Sequence, residues 1–399
     1  MPHLSVLSPI LPTAPLVGGT AHIVGALRQL ARAYHVSLCA LAPDLTTPIW
    51  PPLFEYCDQV HVFQRPRSSG WGVAPPAVRQ EHSAELRAFL EHTWRRQHPD
   101  IVQLEFTSMA QYAPLARQTG ALVVCIAHNV AFLAQIRRAR LQHGAMLRGR
   151  RWLGALSLWL YELLMLPRCH LVVTHSLADK FALQRWLPHL PVVYIPSGVD
   201  LEDRPICFDP HSSDEVLFVG SYQHPPNVEG ALWLVREVWP LVRRAHPGAR
   251  LTLAGRAPPP SIQALAAADI CVPGTVANLQ PYYGRSTMMV APIFWGSGVR
   301  IKILDALAYG LPLVTTAVAA EGIDLVQDQS ALFAEQPAEF ASAILRLLDD
   351  PALRIRLSAA GRAVVERDYD WNQIGRRLLG LFEGARASRA LAHRSGGAG

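Results

Sequence analysis

Charged residues make up only 17% of this 399-residue chain, and its six cysteines, at 39, 57, 125, 169, 207 and 271, include no C-x-x-C pair. No His cluster stands at zinc spacing either, so a structural metal is not expected. Scattered thiols in apolar runs such as "LVVCIA" suit a reducing cytoplasm better than a disulfide framework. No Lys or Arg precedes the apolar part of "MPHLSVLSPILPTAP", which also holds four prolines. It therefore does not read as a secretory leader. The longest apolar segment, "WLGALSLWLYELLMLP" at 152–167, is shorter than a membrane crossing and carries Glu162. Basic runs interleaved with aromatics are missing, which removes nucleic acid as an expected partner. No Ser-His-Asp set, Cys-His pair or dense carboxylate cluster is visible, so the chemistry is not expected to rest on a protein nucleophile.

Half of the residues are hydrophobic and the net charge is +6. A chain of this length exceeds what one core serves, so two domains are expected. The mild basic excess fits a solvated surface, an anionic ligand or an anionic membrane face.

Short apolar runs alternate with helical patterns along the whole chain. Strands are expected at 4–7, 36–41, 101–104, 122–127, 171–174 and 192–195, then at 216–220, 250–255, 288–292 and 311–316. Amphipathic helices are expected at 23–33, 83–97 and 228–245. Continuous apolar strands alternating with helices imply parallel sheets covered on both faces. The fold class is α/β, with two Rossmann-like, doubly wound domains facing a cleft. The spans are 1–197, a Pro-, Ser- and Asp-rich linker at 198–213, and 214–375, followed by a C-terminal helix and disordered tail at 376–399. Ligands of such folds bind beyond the carboxyl ends of the strands.

One helix contradicts the usual placement of charge. After strand 288–292 comes "IFWGSG", then a helix predicted from Val299 to Gly310 with Arg300 and Lys302 in its first turn. Cations there oppose the helix dipole. Gly296 and Gly298 would let backbone amides approach an anion, which the helix start and the two cations would also attract. The alternative is a solvated pair of like charges. Asp305 either pairs with Lys302 across a helical turn or accepts hydrogen bonds from a ribose. Gly18 and Gly19 form either a simple turn or a phosphate-approaching loop. His128, with Asn129 at the end of "LVVCIA", is either a structural hydrogen-bonder or a member of a site. Residues 137–167 are basic first (Arg137, Arg138, Arg140, Arg148, Arg150, Arg151) and apolar after, with Trp152 and Trp159. That segment reads equally as a surface helix packed on its domain or as a contact with anionic membrane.

These residues resemble the family 4 (group 1) glycosyltransferases of GT-B fold. "VAPIFWGSGVRIKILDALAYGLPLVTTAVAAEGI" at 290–323 is similar to the family's donor-site signature, supported by "VLFVGSYQHPPNVEGALWLV", "LAGRAP", "YIPSGVD", "GTVANLQPYY", "GGTAHIVGALRQLARAYHVSL" and "HNVAF". The resemblance implies metal-independent, retaining transfer of a sugar from a nucleotide-diphosphate sugar. The receiving group would be a hydroxyl of a saccharide or lipid-linked acceptor, in cell-surface polysaccharide or glycolipid assembly, with the enzyme cytoplasmic and peripheral to the membrane. No cofactor is implied, since the nucleotide sugar is a co-substrate. By position, Gly296, Gly298, Arg300 and Lys302 would meet the diphosphate and Asp305 the ribose. Gly18, Gly19 and Gly220 would line the donor side, His128 would face the transferred sugar, and Glu321 and Gly322 would border the donor pocket. Three departures stand out. Ser297 and Asp305 occupy the family's Glu-x7-Glu positions, "GSYQHPPN" lacks the usual Arg and Lys, and Ala131 replaces a frequent acidic residue. A GT-B nucleotide-sugar epimerase and an inactive nucleotide-sugar-binding relative are the alternatives.

Overall fold

The computed structural model describes residues 1–13, 18–66, 74–141, 144–209, 214–276, 278–296 and 298–396. The chain divides into two compact units, Met1–Ser197 with Trp371–Gly399, and Gly198–Asp370.

The first unit is built on seven parallel strands: β1 (His3–Ser8), β2 (His35–Ala42), β3 (Gln59–Gln64), β4 (Ile101–Glu105), β5 (Leu122–Ala127), β6 (Leu171–Thr174) and β7 (Val192–Tyr194), ordered β3-β2-β1-β4-β5-β6-β7. The second holds six: β8 (Glu215–Ser221), β9 (Arg250–Arg256), β10 (Ile270–Cys271), β11 (Met288–Ala291), β12 (Leu313–Thr315) and β13 (Leu332–Phe333), ordered β10-β9-β8-β11-β12-β13. Both sheets are doubly wound, as expected. The strand order reverses beside β1 in one and beside β8 in the other, and each reversal opens a crevice at the strands' carboxyl ends.

Every residue of β5 is buried, which is why it reads as an unbroken apolar run. Each fully buried Val, Leu or Ile of this kind contributes about 1.5–3 kcal/mol relative to exposure. The strands not anticipated are β3, β10 and β13. β3 is a half-exposed edge, "QVHVFQ", and the other two are only two residues long.

Two expectations about the chain's organisation need correction. Residues 198–209 are not a free linker but pack on the second unit, where Cys207 N–H donates to the Tyr309 carbonyl at 3.1 Å. The C-terminal helix, Trp371–Gly396, starts earlier than expected and belongs to the first unit. Its stripe of Trp371, Ile374, Leu378 and Phe382 is buried in the core that also holds Leu4, Val6, Ile23 and Leu27. Two glycines permit the close crossing over helix Gly19–Leu30. A Cβ on Gly25 would lie 2.1 Å from the Trp371 ring, and one on Gly375 would lie 2.5 Å from Gln29 Oε1. The expected disordered tail is helical through Gly396, and residues 397–399 lie outside the described residues.

Candidate functional site

The helix after β11 spans Ile301–Ala308, shorter at both ends than its apolar spacing suggested. Gly310, with φ 84°, follows it, and Arg300 is its N-cap rather than a first-turn residue. The approach to that cap needs glycine, since Gly296 and Gly298 hold φ values of 117° and 81°, which side-chain-bearing residues avoid. The Arg300 guanidinium folds back over this loop. Its Nη1 donates to the Gly298 carbonyl, and its Nη2 would stand 2.9 Å from a Cβ on Gly296. Ser297 lies outside the described residues.

Lys302 is half-buried near the start of the helix. Its Nζ donates to Asn227 Oδ1 at 2.7 Å and stands 4.7 Å from the centre of the Phe218 ring. Burial, reinforced by the charge of Arg300, pulls its pKa down to about 7. No carboxylate among the described residues offsets that shift. Asn227 reaches Lys302 because Gly220, at the end of β8, has no side chain: a Cβ there would press on Asn227 at 3.0 Å. Gly230 has a similar role further along helix Pro225–Trp233, where a Cβ would fall 2.2 Å from the Pro292 carbonyl oxygen. The same helix holds Trp295, whose Nε1 donates to Glu229 Oε2 at 2.5 Å. Lys302, Asn227 and Gly220 thus meet where the order of the second sheet reverses.

Asp305 has a partner that its sequence neighbourhood did not suggest. Arg204 Nε donates to Asp305 Oδ1 at 2.6 Å, and Arg204 Nη1 to the Asp200 carbonyl at 3.1 Å. Burial alone would lower the Arg204 pKa, but the Asp305 charge and hydrogen bond outweigh it and hold it above its usual value. Gly322, with φ 86°, offers its carbonyl to the Tyr369 hydroxyl at 3.1 Å, and Glu321 is half-buried in the turn before it.

In the first unit, Gly18 (φ 55°) precedes helix Gly19–Leu30, whose first residue lies against two rings. A Cβ on Gly19 would sit 2.7 Å from Phe106 Cζ and 3.6 Å from His128 Nδ1. Phe106 stacks on His128 at 4.0 Å between ring centres, 12° from parallel, and pays for this with a φ of 66°. His128 Nε2 lies 2.6 Å from Glu105 Oε2 in a pair almost closed to solvent. His22 is 3.9 Å from His175 and 5.0 Å from His128, ring centre to ring centre. Burial, with the neighbouring imidazoles adding to it, pushes the pKa of His22 well below the usual range and that of His175 to about 3. Gly18, Gly19 and His128 therefore do come together, beside the reversal at β1. Glu105, Phe106, His22 and His175 join them without any local signal in the sequence. Among the described residues, no group of three or more His, Cys, Asp or Glu is arranged to hold a metal ion.

The basic and apolar segment forms helices Ala131–Leu141 and Ala145–Met165. Leu153, Leu156, Leu160 and Leu164, 68%, 50%, 47% and 63% exposed, fall on one side of the second helix. Arg140, Arg148 and Arg150 are exposed as well. Trp152 is exposed, but Trp159 packs inward against the core and meets Trp186 edge-on at 5.2 Å, so only one of the two tryptophans faces out. Phe181 and Trp186, on helix Leu177–Trp186, add exposed aromatic surface at 63% and 48%. No helix among the described residues is long and apolar enough to cross a membrane.

Comparison with known proteins matches each half of the chain to a family model. Residues 17–203 match the family model "Glycosyltransferase Family 4", and residues 213–350 match "Glycosyl transferases group 1". An uncharacterized 44.6 kDa protein in the cps region of Klebsiella pneumoniae is 27% identical over 214 residues, 51% of this chain and 53% of that protein. The phosphatidyl-myo-inositol mannosyltransferase of Mycobacterium tuberculosis is 24% identical over 259 residues, 59% of this chain and 66% of its own. The chain thus spans about half to two thirds of the length of these relatives. Sucrose-phosphate synthase from Thermosynechococcus elongatus superposes with a TM-score of 0.76 at 17% identity, over 97% of this chain and 100% of that one, a likeness of fold. Two doubly wound parallel sheets, each half matched by its own family model, make this chain a GT-B glycosyltransferase of the group 1, family 4 type.

Proposed function

We propose that this chain is a retaining glycosyltransferase that takes its sugar from a nucleotide-diphosphate donor bound to the second unit. The observation that carries this reading is the pair Arg300–Lys302 at the start of helix Ile301–Ala308, with no carboxylate among the described residues offsetting Lys302. Two cations at the positive end of a helix repel each other and the dipole, and a diphosphate removes both penalties at once. Arg300 offers a planar fork, Lys302 a point charge, and the glycine loop open backbone. Together they stabilise the charge that develops on the leaving diphosphate. Asp305 receives the ribose through the carboxylate that also pairs with Arg204. Gly220 keeps Asn227 against Lys302, and Glu321 and Gly322 border the donor. Gly18, Gly19 and His128 serve the transferred sugar and its acceptor.

The reaction breaks the bond from the anomeric carbon to the diphosphate oxygen and forms one to the acceptor oxygen on the same face. The acceptor proton passes to the leaving phosphate, so no separate protein base is required. The receiving group is a hydroxyl of a saccharide or lipid-linked acceptor, and the exposed stripe Leu153–Leu156–Leu160–Leu164 with its neighbouring arginines supports the lipid-linked class. That surface suits the headgroup region of an anionic membrane, the phase in which a lipid-linked acceptor resides.

A thermal-shift panel of nucleotides and nucleotide sugars ranks the donors, since a bound ligand stabilises the fold according to its affinity. The double variant Arg300→Ala/Lys302→Ala should lose both that shift and transfer. NMR of the product should show the donor's anomeric configuration. Inversion would refute retention, and binding without turnover would assign an inactive relative.

A further inference from the structure

The first unit encloses a cavity of about 10 Å³, room for a single water, between β4, helix Gly19–Leu30 and helix Trp371–Gly396. Among the residues that line it are His22, Gln103 and His175, which are 4%, 0% and 2% exposed. Each has one side-chain atom with no hydrogen-bond partner among the described residues: His22 Nδ1, Gln103 Oε1 and His175 Nε2. A buried polar atom left unsatisfied costs about 1–3 kcal/mol, and all three belong to residues that line one small cavity.

For His175 and Gln103 the other partners fix which side-chain atom accepts. His175 Nδ1 lies 2.8 Å from the Ile195 carbonyl, which only accepts, so Nδ1 carries the proton and Nε2 is an acceptor. Gln103 Nε2 donates to Glu105 Oε1 at 2.5 Å, which leaves its own Oε1 as a second acceptor on a residue lining the cavity. Glu105 Oε2 in turn accepts from His128 Nε2 at 2.6 Å. A single water donates to Gln103 Oε1 and His175 Nε2 and accepts from His22 Nδ1–H, using both its protons and one lone pair. No other assignment satisfies all three atoms with one molecule.

We propose that this cavity binds one water, and that the chain water–Gln103–Glu105–His128 holds His128 as its Nε2–H tautomer. The His128 Nδ1 edge is then presented toward Gly19 at the start of helix Gly19–Leu30. Gln103 and Glu105 are positioning residues, acting only through His128. Only the value of that orientation for sugar transfer rests on the proposed reaction; the water and the tautomers do not.

Two measurements on the unmodified, ligand-free protein test this. A high-resolution crystal structure should show one water within hydrogen-bond distance of His22 Nδ1, Gln103 Oε1 and His175 Nε2; an empty cavity or a metal ion would overturn the proposal. Side-chain ¹⁵N NMR at neutral pH should show Nδ1–H at His22 and His175 and Nε2–H at His128, and any other set refutes it. Gln103→Leu should lose the single-tautomer pattern of His128; an unchanged His128 spectrum would sink the chain. In the same variant kcat should fall while KM for the donor holds. If the water and tautomers are as stated but kcat is unmoved, the role of His128 in transfer fails and the water site stands.

Discussion

Lys302 and Asn227 are joined by a 2.7 Å hydrogen bond that ties the helix after β11 to the helix after β8. It is a neutral acceptor on a cation whose pKa burial has lowered to about 7, so Lys302 holds its proton loosely. Diphosphate binding should raise that pKa and draw in a proton. Nucleotide affinity should therefore weaken as pH rises above 7, by up to about tenfold per pH unit. Calorimetry at pH 8.5 in buffers of differing ionisation enthalpy should register proton uptake, and no uptake would count against Lys302 as a ligand. Asn227→Leu should weaken nucleotide binding by about tenfold through loss of one charge-assisted bond.

The same shift has a consequence for the free protein. The folded pKa lies below the ordinary 10.5, so the unfolded chain binds more protons between about 7 and 10.5. Stability then rises with pH across that window, and the cost of charged Lys302 is largest below it. Lys302→Met should raise the melting temperature at pH 6, and the gain should vanish near pH 10.

Asp305 and Arg204 separate a structural role from a binding one. Arg204→Met removes the 2.6 Å pair but leaves the carboxylate. It should lower stability by about 1–3 kcal/mol while nucleotide affinity changes little. Asp305→Ala should lose stability and affinity together, measured by urea unfolding and by titration with nucleotide. Equal losses of affinity in both variants would show that Asp305 acts only through Arg204.

How far the sequence reveals these arrangements depends on how local each is. Strands such as β5 were legible because burial on both faces demands an uninterrupted apolar run. β3 was not, because Gln59 and His61 lie on a half-exposed edge. The cation pair proposed to meet an anion stands out in the sequence because two cations at a helix start contradict the dipole. Its supports do not: Asn227 is 75 residues from Lys302, and Arg204 is 101 from Asp305, and no short-range spacing rule reaches that far. The apolar stripe Trp371–Ile374–Leu378–Phe382 is visible at helical spacing, but nothing local says which sheet it covers.

Glu162 is a buried carboxyl of the N-terminal unit. Its Oε1 accepts from Thr107 Oγ1 at 2.7 Å and from Ala131 N–H at 3.1 Å, joining helix Ala145–Met165 to the segment after His128. Burial raises its pKa to about 7 against these bonds. The folded chain thus binds more protons between its ordinary value and 7, so stability falls as pH rises through that range. Glu162→Gln keeps an acceptor oxygen without the charge. It should raise the melting temperature at pH 8 and lose that advantage at pH 5.

Membrane contact by the exposed leucine stripe predicts co-sedimentation with phosphatidylglycerol-rich vesicles and weaker binding in high salt. Replacing Leu153, Leu156 and Leu160 by Gln should release the protein from vesicles and leave donor binding intact. Equal binding to neutral and anionic vesicles would remove the arginines from the account.

The crossing of Gly25 and Trp371 is tight enough to test directly. Gly25→Ala should cost about 1–3 kcal/mol through overpacking, whereas Gly380→Ala, with open space around it, should stabilise by about 0.4–1 kcal/mol in thermal unfolding.

That crossing also dictates an order of events during synthesis. The ribosome delivers the strands of the N-terminal sheet first, yet one face of that sheet is covered by a helix that begins at Trp371. By then every residue of Gly198–Asp370 has been made, so the later unit has all its elements while the earlier one still shows apolar surface. A nascent chain stalled before Trp371 should bind chaperones through its N-terminal half. The domain that starts first can be completed only last.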